Sequence, residues 1–179
     1  MTVHRIRDSV DGDIAAVQSI YAHHVLHGTG SFELEPPEVQ AMTERRADVL
    51  RNGLPFLVAE AQGRVLGYAY ANLFRPRPAY RFTVEDSVYV AEEARGHGLG
   101  RVLLGALLDR CEAAGCRQMV AVIGDSANVA SIALHARCGF RFAGTMRATG
   151  WKFDRWLDTV IMQRELGAAD REPPPAGRR

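Results

Sequence analysis

The chain has 179 residues, 47% of them apolar, and a formal net charge of +1. That length suits one domain with a single core, and the near-neutral charge argues against a dedicated nucleic-acid binder, which concentrates basic side chains on one surface. No apolar run approaches the ~20 residues of a membrane span, and MTVHRIRDSVDGD lacks the apolar centre of a signal peptide, so a cytoplasmic protein without nucleic-acid or membrane partners is expected.

Val3 to Arg7 reads as a short strand. A helix follows from about Gly12 to His27, capped by Asp11, with Ile14, Val17, Ile20 and Tyr21 on one stripe. Pro36 and Pro37 open a second helix carrying Val39, Met42, Val49 and Leu50, which Gly53 closes. FLVAEAQGRVLGYAYANLF is a hairpin around Gln62-Gly63, and FTVEDSVYV is the next strand. After a glycine-rich loop, Leu99, Val102, Leu103, Ala106, Leu107 and Cys111 recur at the spacing of a core-facing helix, ended by Gly115. MVAVI is fully apolar and reads as an interior strand. GDSANVASIALHARCGF is a loop and short helix stopped by Gly139, and the rest to Leu166 is two strands joined by an irregular Trp-rich segment. The tail, residues 167–179 (GAADREPPPAGRR), lacks apolar periodicity and is expected to be disordered. One mixed α/β domain over residues 1–166 results. Cys111, Cys116 and Cys138 are odd in number and lack metal-ligand spacing, so they read as reduced thiols and no metal is expected.

Gly96, Gly98 and Gly100 lie between a strand and a helix start. The first N–H groups of a helix have no internal partner and its dipole is positive there, so this junction favours an anion such as a phosphate. A P-loop would need Gly-Lys-Ser/Thr where the chain has Gly100-Arg101-Val102. A dinucleotide fingerprint would place its third glycine on Arg101 and would open its βαβ unit instead of following three strands. A tight turn alone needs fewer glycines than three.

The pattern Arg95-x-x-Gly98-x-Gly100, with the element order, resembles the GNAT superfamily of N-acetyltransferases. GSFELEPP, RPRPAYRFTVEDSVYV, RGHGLG, NVASIALHARCGF and GWKFDRWLDTV together are similar to its phosphinothricin/methionine sulfoximine acetyltransferases, over Val3 to about Leu166. The resemblance implies a mixed, largely antiparallel sheet flanked by helices, acetyl-CoA as co-substrate, and a homodimer. It implies that the pyrophosphate meets the backbone of Gly96, His97, Gly98, Leu99, Gly100 and Arg101 after Arg95. The pantetheine arm would pair with Val88, Tyr89 and Val90, and Asn128 and Ser131 would contact the cofactor.

Glu85 falls on the family position of the base that deprotonates the acceptor amine. Strand alternation puts Glu85, Ser87 and Tyr89 on one face and Val84, Asp86 and Val88 on the other, and Asp86 reads as a solvated or salt-bridged edge residue. His135 stands where many relatives carry a tyrosine that protonates the departing thiolate; it is either that donor or a helix-surface contact. His4, His23, His24 and His27 show no partner by spacing. For the acceptor the resemblance points to Phe32, Glu33, Arg75, Arg77 and Tyr80. On an extended backbone Arg75 and Arg77 would leave on the same side and suit a carboxylate or phosphinate. Some herbicide-detoxifying relatives carry a histidine where this chain has Phe153, so a methionine-sulfone-like acceptor stands beside phosphinothricin. A peptide N-acetyltransferase and a non-catalytic acyl-CoA sensor are the rival functions on this fold.

Overall fold

Seven strands and four helices follow one another in the expected order in a computed structural model that describes residues 4–174. Val3, named above as a strand start, and the tail beyond residue 174 lie outside the described residues. The strands are β1 (Arg5–Asp8), β2 (Phe56–Ala61), β3 (Arg64–Leu73), β4 (Thr83–Val90), β5 (Gln118–Gly124), β6 (Arg141–Lys152) and β7 (Arg155–Glu165). The helices are α1 (Ile14–His27), α2 (Val39–Arg51), α3 (Leu99–Ala113) and α4 (Val129–Arg137). They build one mixed sheet in the order β1-β2-β3-β4-β5-β7-β6, antiparallel except between β4 and β5.

Each face of the sheet has its own apolar layer. Register pairs Phe56 with Tyr70 and Val58 with Tyr68, so these side chains share a face, and the rings of Phe56, Tyr68 and Tyr70 stack 5.0–6.2 Å apart. Tyr21 of α1 meets Tyr89 of that same face edge-on at 5.0 Å. The opposite face receives α3, whose Leu103, Leu104, Leu107 and Cys111 are wholly buried. Burial of each such leucine contributes about 1.5–3 kcal/mol, which is why the 3-4 spacing of this helix was readable. Cys111, Cys116 and Cys138 are buried and unbridged.

Local details differ from the sequence reading in three places. The first helix is entered through a 3-10 turn, Asp11–Asp13, and the capping acceptor is Asp13. Its Oδ2 takes the Val10 N–H at 2.8 Å and Arg7 at 2.7 Å, while Asp11 pairs with Arg46. The Trp-rich segment is a hairpin: β6, with register shifts at Phe142/Gly144 and Met146/Gly150, runs to Lys152 and turns at Phe153 and Asp154 (φ 53° and 54°), pairing Trp151 with Trp156. Both turn residues take the left-handed conformation that a two-residue hairpin requires, a position normally marked by glycine or asparagine and here hidden behind phenylalanine. The tail begins with structure: Ala169 is buried, and Arg171 donates to the Gly167 carbonyl at 2.7 Å.

One irregularity of the sheet positions everything that follows. β4 and β5 pair only over Thr83–Glu85 against Gln118–Val120. Beyond Glu85, β4 stays with β3 as far as Val90, while β5 stays with β7 as far as Gly124. The sheet forks there.

Candidate active site

The fork opens a cleft of about 1070 Å³ between β4 and β5, continued over the N-termini of α3 and α4. Ala91 N–H donates to the Leu66 carbonyl of β3 at 2.9 Å. Because backbone groups alternate sides along a strand, Tyr89 also faces β3, and the N–H and C=O groups of Val88 and Val90 face the cleft. The expectation that Tyr89 would pair through its backbone is therefore corrected: its amide and carbonyl are turned toward Tyr68, its register partner on β3. Val90 C=O accepts a hydrogen bond from His24 Nε2 at 3.0 Å, so a histidine without a partner in the sequence reading has one. Burial lowers the His24 pKa, partly opposed by that carbonyl, which suits a neutral donating ring.

The glycine loop closes one end of the cleft. Gly96 and Gly98 have φ of +79° and +80°, a region that costs an L-residue steric strain, and Gly98 caps α3. Arg101 and Val102 already donate to the Gly98 carbonyl, at 3.0 and 3.2 Å, leaving the amides of Leu99 and Gly100 as the open helix start. Arg95, Gly96, Gly98, Leu99, Gly100 and Arg101 all line the cleft; His97, the seventh residue expected there, is exposed and does not. At the other helix start, Asn128 Oδ1 accepts from Ser131 N–H at 3.2 Å while its Nδ2 donates to Gly124 C=O at 3.4 Å. Asn128 thus ties α4 to the end of β5.

Glu85 sits at the fork and lines the cleft. Burial raises its carboxyl pKa, the charge of Asp86 adds to the rise, and Arg75 opposes it. Of the two readings of Asp86, solvated or salt-bridged, the second holds. The Asp86 side chain is 2% exposed and its Oδ2 accepts from His135 Nε2 at 2.9 Å. His135 is equally buried, so the helix-surface reading is corrected. Its Nδ1 faces the Ser131 carbonyl at 2.7 Å. A signal for this pair was present in the strand: Asp86 lies between Val84 and Val88 on the apolar side, and a buried carboxylate requires a partner.

The expected acceptor residues lie beside the cleft rather than in its lining. The segment 74–81 bends and ends in a 3-10 turn at Pro78–Tyr80, so Arg75 and Arg77 are not on an extended strand and do not form a parallel pair. Arg75 folds over the Phe74 ring at 4.3 Å and is the arginine of the two that acts on Glu85. Tyr80 meets Phe74 edge-on at 5.8 Å. Glu33 pairs with Arg45 at 2.7 Å, and Arg45 also lies over Tyr21, whose hydroxyl is 2.8 Å from Ser31 Oγ. The Phe32 ring lies against Gly124 of β5 and Gly150 of β6, where any Cβ would collide with it.

Lys152 was missed by sequence reasoning and holds this loop in place. Its buried ammonium donates to the carbonyls of Gly28 and Ser31, at 2.9 and 2.7 Å, and burial pushes its pKa down against the pull of Glu33. A lysine in a strand otherwise open to solvent carries no sequence mark of such a role. Asp125 and Arg155 pair at 2.5 Å on the cleft wall.

The sheet thus forks at Glu85, with the open N-terminus of α3 at one end of the cleft. Residues 17–140 match the model of the acetyltransferase (GNAT) family. Similar proteins include a phosphinothricin N-acetyltransferase of Alcaligenes faecalis, 55% identical over 97% of this chain and 86% of its own length. An L-methionine sulfoximine/L-methionine sulfone acetyltransferase of Pseudomonas aeruginosa is 44% identical over 94% of this chain and 98% of its own. A phosphinothricin acetyltransferase from Sinorhizobium meliloti, solved in complex with acetyl-CoA, superposes with a TM-score of 0.95 at 48% identity, covering 99% and 95% of the two chains. The chain belongs to the acetyltransferase (GNAT) family and is an N-acetyltransferase. No helix among the described residues is long and apolar enough to cross a membrane.

Proposed function

We propose that this enzyme moves the acetyl group of acetyl-CoA to the α-amine of a small amino-acid analogue of the phosphinothricin, methionine sulfoximine or methionine sulfone type. The observation that carries the reading is Glu85, a carboxyl raised by burial at the point where β4 leaves β5. The cleft suits the co-substrate: two left-handed glycines and open helix amides for a diphosphate, then outward-facing strand amides for an extended amide chain. Acetyl-CoA supplies a thioester carbonyl open to attack by an amine. Gly96, Gly98, Leu99 and Gly100 hold the phosphates through backbone N–H groups, and Val88 N–H is turned to meet the carbonyl oxygen as negative charge develops on it. Glu85 accepts the proton the amine must lose as its C–N bond forms and the C–S bond breaks.

Arg75 holds the acceptor's acidic group. Arg75→Ala is expected to raise the acceptor KM at least tenfold, roughly 1.4 kcal/mol, with the acetyl-CoA KM nearly unchanged. Removing this cation also lets the Glu85 pKa rise further, so the acidic limb of the pH–rate profile should move to higher pH. Thiol release from acetyl-CoA, measured with free amino-acid analogues, their amides and a mixed peptide pool, tests the whole reading. Release only with the free analogues supports it, equal turnover of an analogue and its amide favours the peptide reading, and no release with any acceptor favours the sensor.

We also take the enzyme to be a cytoplasmic homodimer. Its buried, unbridged thiols suit a reducing compartment. Edge strand β6, its turn and the start of β7 expose Phe142, Met146, Trp151, Phe153 and Trp156, an apolar surface suited to a second copy of the chain. Light scattering is expected to give twice the chain mass, and Phe142→Glu with Trp156→Glu should return the monomer.

A further inference from the structure

Asp86 bears on the chemistry above through its charge on Glu85 and His135 has no part in it, yet the two form an ion pair in which both side chains are nearly inaccessible, 2% and 6% exposed. In every other ion pair found among the described residues, at least one partner is visibly solvated. The position is specific. Asp86 is the first β4 residue past the last β4–β5 pair, and His135 belongs to α4, whose first turn carries Asn128 and Ser131. The pair crosses from strand to helix at the fork itself.

The protonation of the ring follows from its partners. Nδ1 faces a backbone carbonyl at 2.7 Å, which can only accept, so Nδ1 carries hydrogen. Nε2 faces the Asp86 carboxylate at 2.9 Å, also an acceptor, so Nε2 carries hydrogen as well. A neutral imidazole satisfies one of these contacts, and an imidazolium satisfies both. The second carboxylate oxygen, Oδ1, is buried without a hydrogen-bond partner among the described residues, so His135 carries the recorded hydrogen bond to this carboxylate.

The Ser131 hydroxyl also lies 3.4 Å from Nδ1, well beyond the 2.7 Å carbonyl contact, and can accept from the same N–H. Phe140 meets it edge-on at 5.0 Å, Cys138 feels Arg101 of α3 and Arg164 of β7 as well as Asp86, and Glu85 points to the opposite face of β4. Burial lowers the His135 pKa, but the Asp86 hydrogen bond, its charge and the Ser131 carbonyl outweigh that and raise it. A raised histidine contributes stability that is complete below its ordinary range and is lost as pH climbs through the raised value.

We propose that Asp86 is a positioning residue: it holds His135 as a doubly donating cation, and the pair locks α4, with Asn128 and Ser131, onto the catalytic strand at the fork. The inference rests on the acetyl-transfer reading for its kinetic consequence. It also reassigns His135, because a ring with both N–H groups engaged has none left to protonate the departing thiolate.

The test combines a readout that needs no activity with one that does. Nitrogen NMR of histidine-labelled protein, followed between about pH 6 and 10, should show the wild-type ring protonated on both nitrogens past neutrality. In Asp86→Asn the ring should lose its proton about one pH unit lower or more, a tenfold change in proton affinity. Asp86→Asn and His135→Gln should each raise the acetyl-CoA KM about tenfold while kcat falls less than about threefold, the mark of lost positioning rather than lost chemistry. The wild-type KM should climb at alkaline pH, and that climb should flatten in Asp86→Asn. A neutral ring in the wild type at neutral pH overturns the proposal, and so does a collapse of kcat in His135→Gln with an unchanged acetyl-CoA KM. The wild-type spectrum decides the first point even where a variant does not fold. Calorimetric CoA binding and the ring spectrum still read the pair should the acetyl-transfer reading itself fail.

Discussion

Glu85→Gln is expected to lower kcat by about two to four orders of magnitude, the usual worth of a positioned base. The substitution keeps the shape of the side chain and removes only its basicity. Burial raises the Glu85 carboxyl, with Asp86 adding and Arg75 opposing, so the acidic limb of the wild-type pH–rate profile should stand above the ordinary carboxylate range. In the glutamine variant that limb should vanish. Stability should not confuse the result. A carboxyl raised in the folded state binds its proton more tightly there than when unfolded, so its ionised form lowers stability as pH rises through that window. A neutral glutamine escapes this cost, and thermal unfolding near neutral pH should show the variant at least as stable as the wild type. Most of the wild-type rate, with an unaltered acidic limb, would end the role of Glu85.

Gly98→Val should raise the acetyl-CoA KM by more than about tenfold, because the backbone that binds the diphosphate depends on a left-handed residue. Nothing lies within 4 Å of the site a Cβ would take, so the penalty is conformational and not a collision. At φ +80° a β-branched residue is strained by about 1–2 kcal/mol, and relief means rotating the cap of α3. That rotation turns the Leu99 and Gly100 amides away from the ligand. Gly98→Ala, with a smaller side chain, should fall between the two. Calorimetry on folded Gly98→Val checks this directly, and unchanged CoA binding would show that the phosphates sit elsewhere.

Local patterns carried most of the fold. The stripe of α3, the Gln62-Gly63 turn and the apolar run of β5 each express a constraint that acts within a few residues: a helix period, a turn conformation, a strand buried on both faces. The glycine loop belongs with them, since a left-handed residue at a helix start is a local demand that glycine meets best. Sequence alone therefore carried a mixed α/β domain with a glycine-rich strand-to-helix junction, and alternation along β4 put Glu85 and Asp86 on opposite faces.

What alternation could not supply was the partner across the gap. Asp86 and His135 are 49 residues apart in sequence, and Lys152 reaches carbonyls more than 120 residues away. Such contacts exist only once β4 parts from β5 and β6 folds back beside the loop of Gly28 to Ser31. Tertiary structure decided these points for one physical reason: a buried charge must be answered by whatever group the fold brings to it, and no spacing along the chain encodes which group that is.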